Sequence, residues 1–174
     1  MLQKIQYLDD SFINWVGRLH RPILNRFMII ISSLGNGGLI WFMLCVPFMI
    51  LKTWRITGIN IMIGLVVAHI SGEIIIKHLV CRVRPCHKLE DEELIVKRPQ
   101  YYSFPSGHTT ASFSVFVVML CRCFPVAMPV LVLALLMGFS RIYLRVHYLT
   151  DVVCGMVLGM LCGFLSVEIF KHLL

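Results

Sequence analysis

Charge is scarce in this chain: Lys, Arg, Asp and Glu make up 14% of its 174 residues, against 58% that are hydrophobic. With a mean hydropathy of +0.82, that shortage excludes an ordinary soluble domain and points to a helical membrane protein. A secretory signal is also lacking, because no basic start is followed by an apolar run and a small-residue cleavage site. No internal repeat, low-complexity tract or second domain is visible, so one domain over residues 1–174 is expected. The cysteines form no secreted disulfide framework: Cys45, Cys121, Cys154 and Cys162 lie within or near apolar runs. Cys81, Cys86 and Cys123 lack zinc-site spacing with nearby histidines. A disulfide between Cys81 and Cys86, which bracket Arg82-Val83-Arg84-Pro85, is conceivable. The methionines read as packing or lipid-facing residues, and neither a metal nor a cofactor is expected.

What the chain has in quantity is apolar sequence. A crossing helix needs about 20 mostly apolar residues, and five clear runs fall at 38–54, 57–80, 107–124, 125–143 and 148–170. A weaker sixth, at 22–36, carries Arg26. The expected fold is therefore all-α, an integral membrane bundle of six transmembrane helices. Before it, residues 1–20 mix Ile5, Leu8, Phe12, Ile13 and Trp15 with Asp9, Asp10 and Arg18, as in a helix lying in the membrane surface. Gly35-Asn36-Gly37-Gly38 reads as a tight turn between the first two spans. The polar stretch from His87 to Tyr102, with its run Glu90-Asp91-Glu92-Glu93, reads as an exposed loop or lid.

Against this background the polar residues at the span ends stand out. They read Lys77-x6-Arg84-Pro85, Pro105-Ser106-Gly107-His108 and Ser140-Arg141-x5-His147-x3-Asp151. Cations, histidines and a carboxylate are costly near lipid, so a shared polar task explains them better than accident. Because consecutive spans alternate direction, all of these residues emerge on one face. His147 and Asp151, four apart at a helix start, fall within reach of each other. A carboxylate that accepts one ring N–H fixes the tautomer and leaves the other nitrogen free to attack, making His147 a candidate nucleophile and Asp151 its orienter. The start of a span at Ser106 and Gly107 offers unpaired N–H groups and the positive end of the helix dipole to an anion. His108 would stand beside it as the acid for a leaving oxygen. Arg84 and Arg141 offer planar two-pronged binding of phosphate oxygens, and Lys77 adds a point charge. Each residue alone has a plainer reading: Lys77 could snorkel, the arginines could anchor at the interface, and His147 with Asp151 could cap a helix. Glu73 reads as an ion-pair partner of Lys77, with His69 on the same stripe. Arg82, Arg145 and His78 read as head-group or interface contacts.

Taken together, the three motifs resemble those of the type 2 phosphatidic acid phosphatase superfamily of lipid phosphatases, with every motif position filled between residues 77 and 151. The resemblance implies metal-independent, two-step hydrolysis through a phosphohistidine on His147, with His108 the acid in the first step and an aid to water in the second. It implies a lipid phosphate or diphosphate as substrate and membrane lipids as surroundings, with no nucleic acid; oligomeric state is not legible. Undecaprenyl diphosphate is the preferred substrate, with phosphatidylglycerophosphate, phosphatidic acid and lipid A as alternatives. Counting Lys and Arg by alternating spans gives an even score, and discounting Lys77, Arg84 and Arg141 as site residues leaves a modest bias toward a cytoplasmic N-terminus and a site on the outer face of a bacterial cytoplasmic membrane. A transporter is the non-enzyme alternative, though paired repeats or broken helices in both halves are not seen. A haloperoxidase-like use of the pocket sits poorly with a short membrane-bound chain.

Overall fold

The computed structural model describes residues 2–171, and among them every regular element is helical. In order these are α1 (Leu2–Gly17), α2 (Pro22–Leu34), α3 (Leu39–Ile50), α4 (Arg55–Ala68), α5 (Lys77–Val80), α6 (Gly107–Arg122), α7 (Phe124–Tyr143) and α8 (Leu149–Lys171), with short 3-10 turns between some of them. Helices satisfy their own backbone hydrogen bonds, which is the condition for crossing hydrocarbon. Their outward faces are apolar: Val66, Ile70, Val132, Leu161 and Phe164 are all exposed.

Helix α6 is the centre, packed against α4, α7 and α8. Its seam with α8 is close because α8 presents Gly155, Gly159 and Gly163 at four-residue intervals. A Cβ added at Gly155 would stand 2.9 Å from the Ser106 carbonyl oxygen, and at Gly159 and Gly163 it would run into the carbonyls of Thr110 and Ser114. Small residues at this spacing let two backbones approach where lipid gives no hydrophobic drive between helices. Between α4 and α5, His69–Ile76 winds as a π-helix, a widened coil that carries more residues per turn than an α-helix.

Two expectations are corrected here. Gly37 and Gly38 do take positive φ, at 59° and 74°, yet α2 and α3 meet at a bend of only 51°. They run on as one broken element rather than reversing. At 13 and 12 residues and about 1.5 Å per residue, each falls well short of the ~30 Å hydrocarbon core. Among the described residues, three helices, Lys52–Lys88, Phe124–Tyr143 and Leu149–Ile169, are long and apolar enough to cross a membrane, or four if the bent pair counts as one. The six separate spans expected from the sequence thus lose their first boundary.

The bend also moves the N-terminus. His20 Nε2 lies 2.9 Å from the Tyr143 carbonyl, and the Tyr143 hydroxyl meets Asn25 Oδ1 at 2.6 Å. Thus α1 and the start of α2 stand at the end of the bundle where α7 finishes and α8 begins. The charge count that set Arg18 and Arg21 on the side opposite Lys77 and Arg84 therefore fails. Helix α1 buries Asp9, Ile13 and Val16 and leaves Tyr7, Leu8 and Trp15 exposed. Cys81 and Cys86 are both free thiols, the first exposed and the second buried, so no disulfide joins them.

Gly159→Ala places its methyl against backbone that cannot rotate away. It should lower stability by about 1–3 kcal/mol, read as a fall in Tm in detergent; an unchanged Tm would show that the α6–α8 seam can open.

Candidate active site

Lys77, at the start of α5, and Arg84, in the extended segment that follows, are carried to the same place by the polypeptide's emergence from the long α4–α5 element. The end of α7 supplies Arg141, the connection to α8 supplies His147, and the first turn of α6 supplies Gly107 and His108. All six line one cavity of about 1050 Å³. From the other side the α2–α3 bend closes it, with Ser32, Gly35, Asn36 and Phe42 in the wall. Val96, Lys97, Pro99 and Tyr101 from the polar stretch after α5 line it too, so that stretch borders the cavity as expected of a lid. Much of the remaining wall is apolar, with Ile29, Leu65, Val66, Ile70 and Ala111, alongside the polar Ser33, His69 and Glu73.

The cations are fixed before any ligand arrives. Lys77 is buried and its Nζ meets both oxygens of Glu73 at 2.6 Å, the ion pair the sequence suggested. Arg84 donates from Nη1 to the Val146 carbonyl at 3.0 Å and lies 3.0 Å from His147 Nε2; its Nε donates to the Tyr101 carbonyl. Arg141 donates from Nη1 to the Ser32 hydroxyl, while its Nε is buried without a partner. An orphaned buried guanidinium donor calls for an explanation, and an anion in the cavity supplies one. A Cβ at Gly107 would collide with the Glu73 carboxylate, so only glycine lets the start of α6 come this close to the Glu73–Lys77 pair.

His147 is 2% exposed. Burial, then the charges of Arg84, Arg141 and Lys77, hold its pKa well below the usual 6.5. The ring is therefore neutral near pH 7. With Arg84 donating toward Nε2, the proton is assigned to Nδ1 and the lone pair to Nε2. His108 Nε2 lies 3.2 Å from Asn36 Oδ1, which places a second imidazole across the cavity beside the α2–α3 bend.

The expected partnership of His147 and Asp151 is only approximate. Nδ1 stands 3.6 Å from Asp151 Oδ2 and makes no hydrogen bond. The reason is local: α8 starts at Leu149, so His147 lies outside the helical register that would bring the two side chains face to face. Asp151 instead accepts the Tyr148 N–H at 2.8 Å and Arg82 Nη1 at 2.7 Å. Hydrogen bonds at catalytic groups are often long before substrate binds and tighten afterwards. Asp151 and Ser106 stand behind the cavity wall rather than in it. The Ser106 N–H donates to the Asp151 carbonyl at 3.0 Å and its hydroxyl accepts from Thr109 at 2.9 Å, so Ser106 ties α6 to α8.

Arg82 and Asp9 are the residues that sequence reasoning undervalued. Arg82 was read as an interface contact, yet it spans Asp151, Thr150, Gln6 and Asp9. Asp9 is 1% exposed. A signal was present: Asp9 falls on the same helix face as Ile13 and Val16, where a lone carboxylate requires a buried partner.

Comparison with known proteins follows the same lines. Residues 54–173 match the family model of the PAP2 superfamily. The chain is 34% identical over 148 residues to an undecaprenyl-diphosphatase from Sulfolobus acidocaldarius, covering 84% of this chain and 70% of that protein. In structure it is similar to LpxE of Aquifex aeolicus, with a TM-score of 0.80 and 26% identity over 92% of this chain and 95% of that one. It is equally similar to a transmembrane PAP2-type phosphatidylglycerolphosphate phosphatase from Bacillus subtilis, with a TM-score of 0.80 and 26% identity over 97% and 87% of the two chains.

Replacing Arg141 by Leu removes the orphaned donor and one of three charges. Binding of orthovanadate to the purified protein, followed by calorimetry, should weaken by roughly ten-fold or more, since a hydrogen bond to a charged group contributes about 1.5–3 kcal/mol. Unchanged binding would place the anion elsewhere.

Proposed function

The chain belongs to the PAP2 superfamily, and from that premise we propose that it hydrolyses a membrane lipid phosphate or diphosphate through a phosphohistidine on His147. One observation carries the reading: a neutral buried imidazole, a second imidazole and the cations Lys77, Arg84 and Arg141 all line one cavity, which also has a broad apolar stretch of wall at Ile29, Phe42, Leu65, Val66 and Ile70. The cations receive the phosphoryl oxygens and stabilise the charge spread over them during transfer. The apolar wall suits the tail of a substrate that stays in the bilayer.

In the first step His147 Nε2 attacks phosphorus. The bond to the leaving oxygen breaks, and His108, in its protonated form, supplies the proton that oxygen needs. Arg84, which lies against Nε2 in the resting site, is placed to pass from the ring nitrogen to the incoming phosphoryl oxygens. In the second step water attacks the phosphohistidine while His108 takes its proton, releasing inorganic phosphate and restoring both imidazoles. Asp151 steadies the imidazolium character of His147, closing the 3.6 Å gap as the ring becomes positive. The fixed cations supply the electrostatic work, so the mechanism is proposed without a metal ion.

For substrate we propose undecaprenyl diphosphate, cleaved to undecaprenyl phosphate and phosphate. It is supported by the resemblance to the Sulfolobus undecaprenyl-diphosphatase. Phosphatidylglycerophosphate is the second reading, favoured by the structural likeness to the Bacillus phosphatase. We place α1 in the membrane interface, because Tyr7, Leu8 and Trp15 are exposed while its polar Asp9 turns inward. We place the site on the outer face of a bacterial cytoplasmic membrane on the ground of this substrate, which suits lipid-carrier recycling there, and no longer on the ground of charge.

Purified protein should release inorganic phosphate from the candidate lipids, and His147→Ala should reduce release to background; full activity in the variant would exclude His147 as the nucleophile. Because His147 must be unprotonated to attack and its pKa is lowered, kcat/KM should not fall as pH drops through 6.5, where protonation of the acid His108 favours the first step, and should decline only well below it. Activity lost on acidification through the ordinary histidine value would contradict the assignment of His147. Single cysteines at Glu92 or Gln100, in a background with all seven native cysteines changed to Ser, should react with a membrane-impermeant maleimide on intact cells. Labelling only after lysis would put the site on the inner face.

A further inference from the structure

The family match begins at residue 54, leaving α1 outside it, yet α1 sends a carboxylate into the back of the site. We propose that Asp9 is a positioning residue for catalysis, acting through Arg82 on Asp151 and so on His147; this rests on His147 being the nucleophile.

The chain of contacts is continuous. Asp9 Oδ2 accepts Arg82 Nη2 at 2.7 Å, and its Oδ1 accepts the Thr150 N–H at 3.0 Å. The Thr150 hydroxyl donates to Asp9 and accepts Arg82 Nη1 at 2.7 Å. That same Nη1 reaches Asp151 Oδ1 at 2.7 Å, and the guanidinium lies 4.0 Å from the centroid of the Tyr148 ring. Gln6, one turn before Asp9 on α1, accepts Nη2 at 2.9 Å. Arg82 thus has both terminal nitrogens committed, one to α1 and one to Asp151.

Geometry gives Asp9 a task that charge balance alone does not. Asp151 Oδ2 is already occupied by the Tyr148 N–H at 2.8 Å, so the carboxylate can approach His147 Nδ1 only by a small rotation about fixed partners. Arg82 sets the other oxygen, and Asp9 sets Arg82. Without Asp9, the guanidinium is free to turn both nitrogens onto Asp151, drawing it away from the imidazole. A second brace acts on the same connection. Arg145 has a positive φ of 55°, and its guanidinium lies over Gly17 at the end of α1, where a Cβ would collide with it. Helix α1 therefore holds the His147 connection from both sides.

A residue that only orients a catalytic pair changes the rate and not the binding, and misplacement by about 1 Å can cost about 100-fold. Asp9→Asn should lower kcat ten-fold or more on the lipid that wild type hydrolyses best, with KM and orthovanadate affinity within two-fold; Tm in detergent should fall, because the buried Arg82 charge loses a partner, but stay above the assay temperature. Asp9→Glu, which keeps the charge on a longer stem, should recover part of kcat. Glu92→Gln, an equal loss of charge at an exposed position away from Arg82, should match wild type. Should Asp9→Asn not purify folded, Thr150→Val decides alone: a kcat-only loss supports the relay and a wild-type kcat overturns it. The idea is overturned if Asp9→Asn keeps wild-type kcat, or if kcat and vanadate affinity fall together. His147→Ala assayed alongside separates the two failures: activity there defeats the nucleophile itself, whereas a dead His147→Ala beside a fully active Asp9→Asn defeats only the relay.

Discussion

Everything in this molecule answers to the difficulty of holding three like charges at one cavity inside a greasy bundle. Lys77, Arg84 and Arg141 repel one another, and at low effective dielectric such repulsion is far larger than in water. The fold meets it in three different ways. Lys77 is given a carboxylate in Glu73, Arg84 is given the carbonyls of Tyr101 and Val146, and Arg141 is given a hydroxyl from Ser32 while one of its nitrogens is left with nothing. On the proposed reading, the residual imbalance favours an anion in the cavity. Burial first, and these same charges second, hold the His147 pKa below its usual value, so in that mechanism the cations bear on both affinity and reactivity.

The site was more legible than the scaffold. Residue type and spacing named the groups that line the cavity, because each carries chemistry that lipid does not tolerate without reason. What spacing could not show was who holds whom. His147 and Asp151 are four residues apart, but the helix begins between them, so helical reasoning predicted a bond that is a 3.6 Å gap. Ser106 has the right place at a helix start but spends its groups on Asp151 and Thr109. Arg82 was hidden by its neighbour Arg84: two arginines in Arg-Val-Arg look alike in sequence, and only the fold sends one to the cavity and the other to the back of the carboxylate.

The scaffold errors share one cause. Apolar runs reveal that a segment lies in lipid but not where it changes direction, and two glycines at positive φ are compatible with a reversal or with a bend of 51°. Reading a reversal inverted the side on which the N-terminal helix lies. With the bend, α1 arrives beside the end of α7, so the helix that composition assigns to the membrane surface also stands behind the cavity wall.

The π-helical stretch has a bearing on how chains of this kind can diverge. His69–Ile76 runs along a face bounded by the exposed residues Ile70, Ile74 and Ile75, where substitution among apolar residues meets nothing but lipid. Changes in length are another matter. Deleting one residue before Glu73 would rotate everything beyond it by up to ~100° about the helix axis, swinging the Glu73–Lys77 pair away from the cavity. The outward positions of the segment are therefore free to drift in composition while the whole is locked in register. Among related sequences it should be recognised by constancy of length between the end of α4 and Lys77, even where its outward-facing residues change.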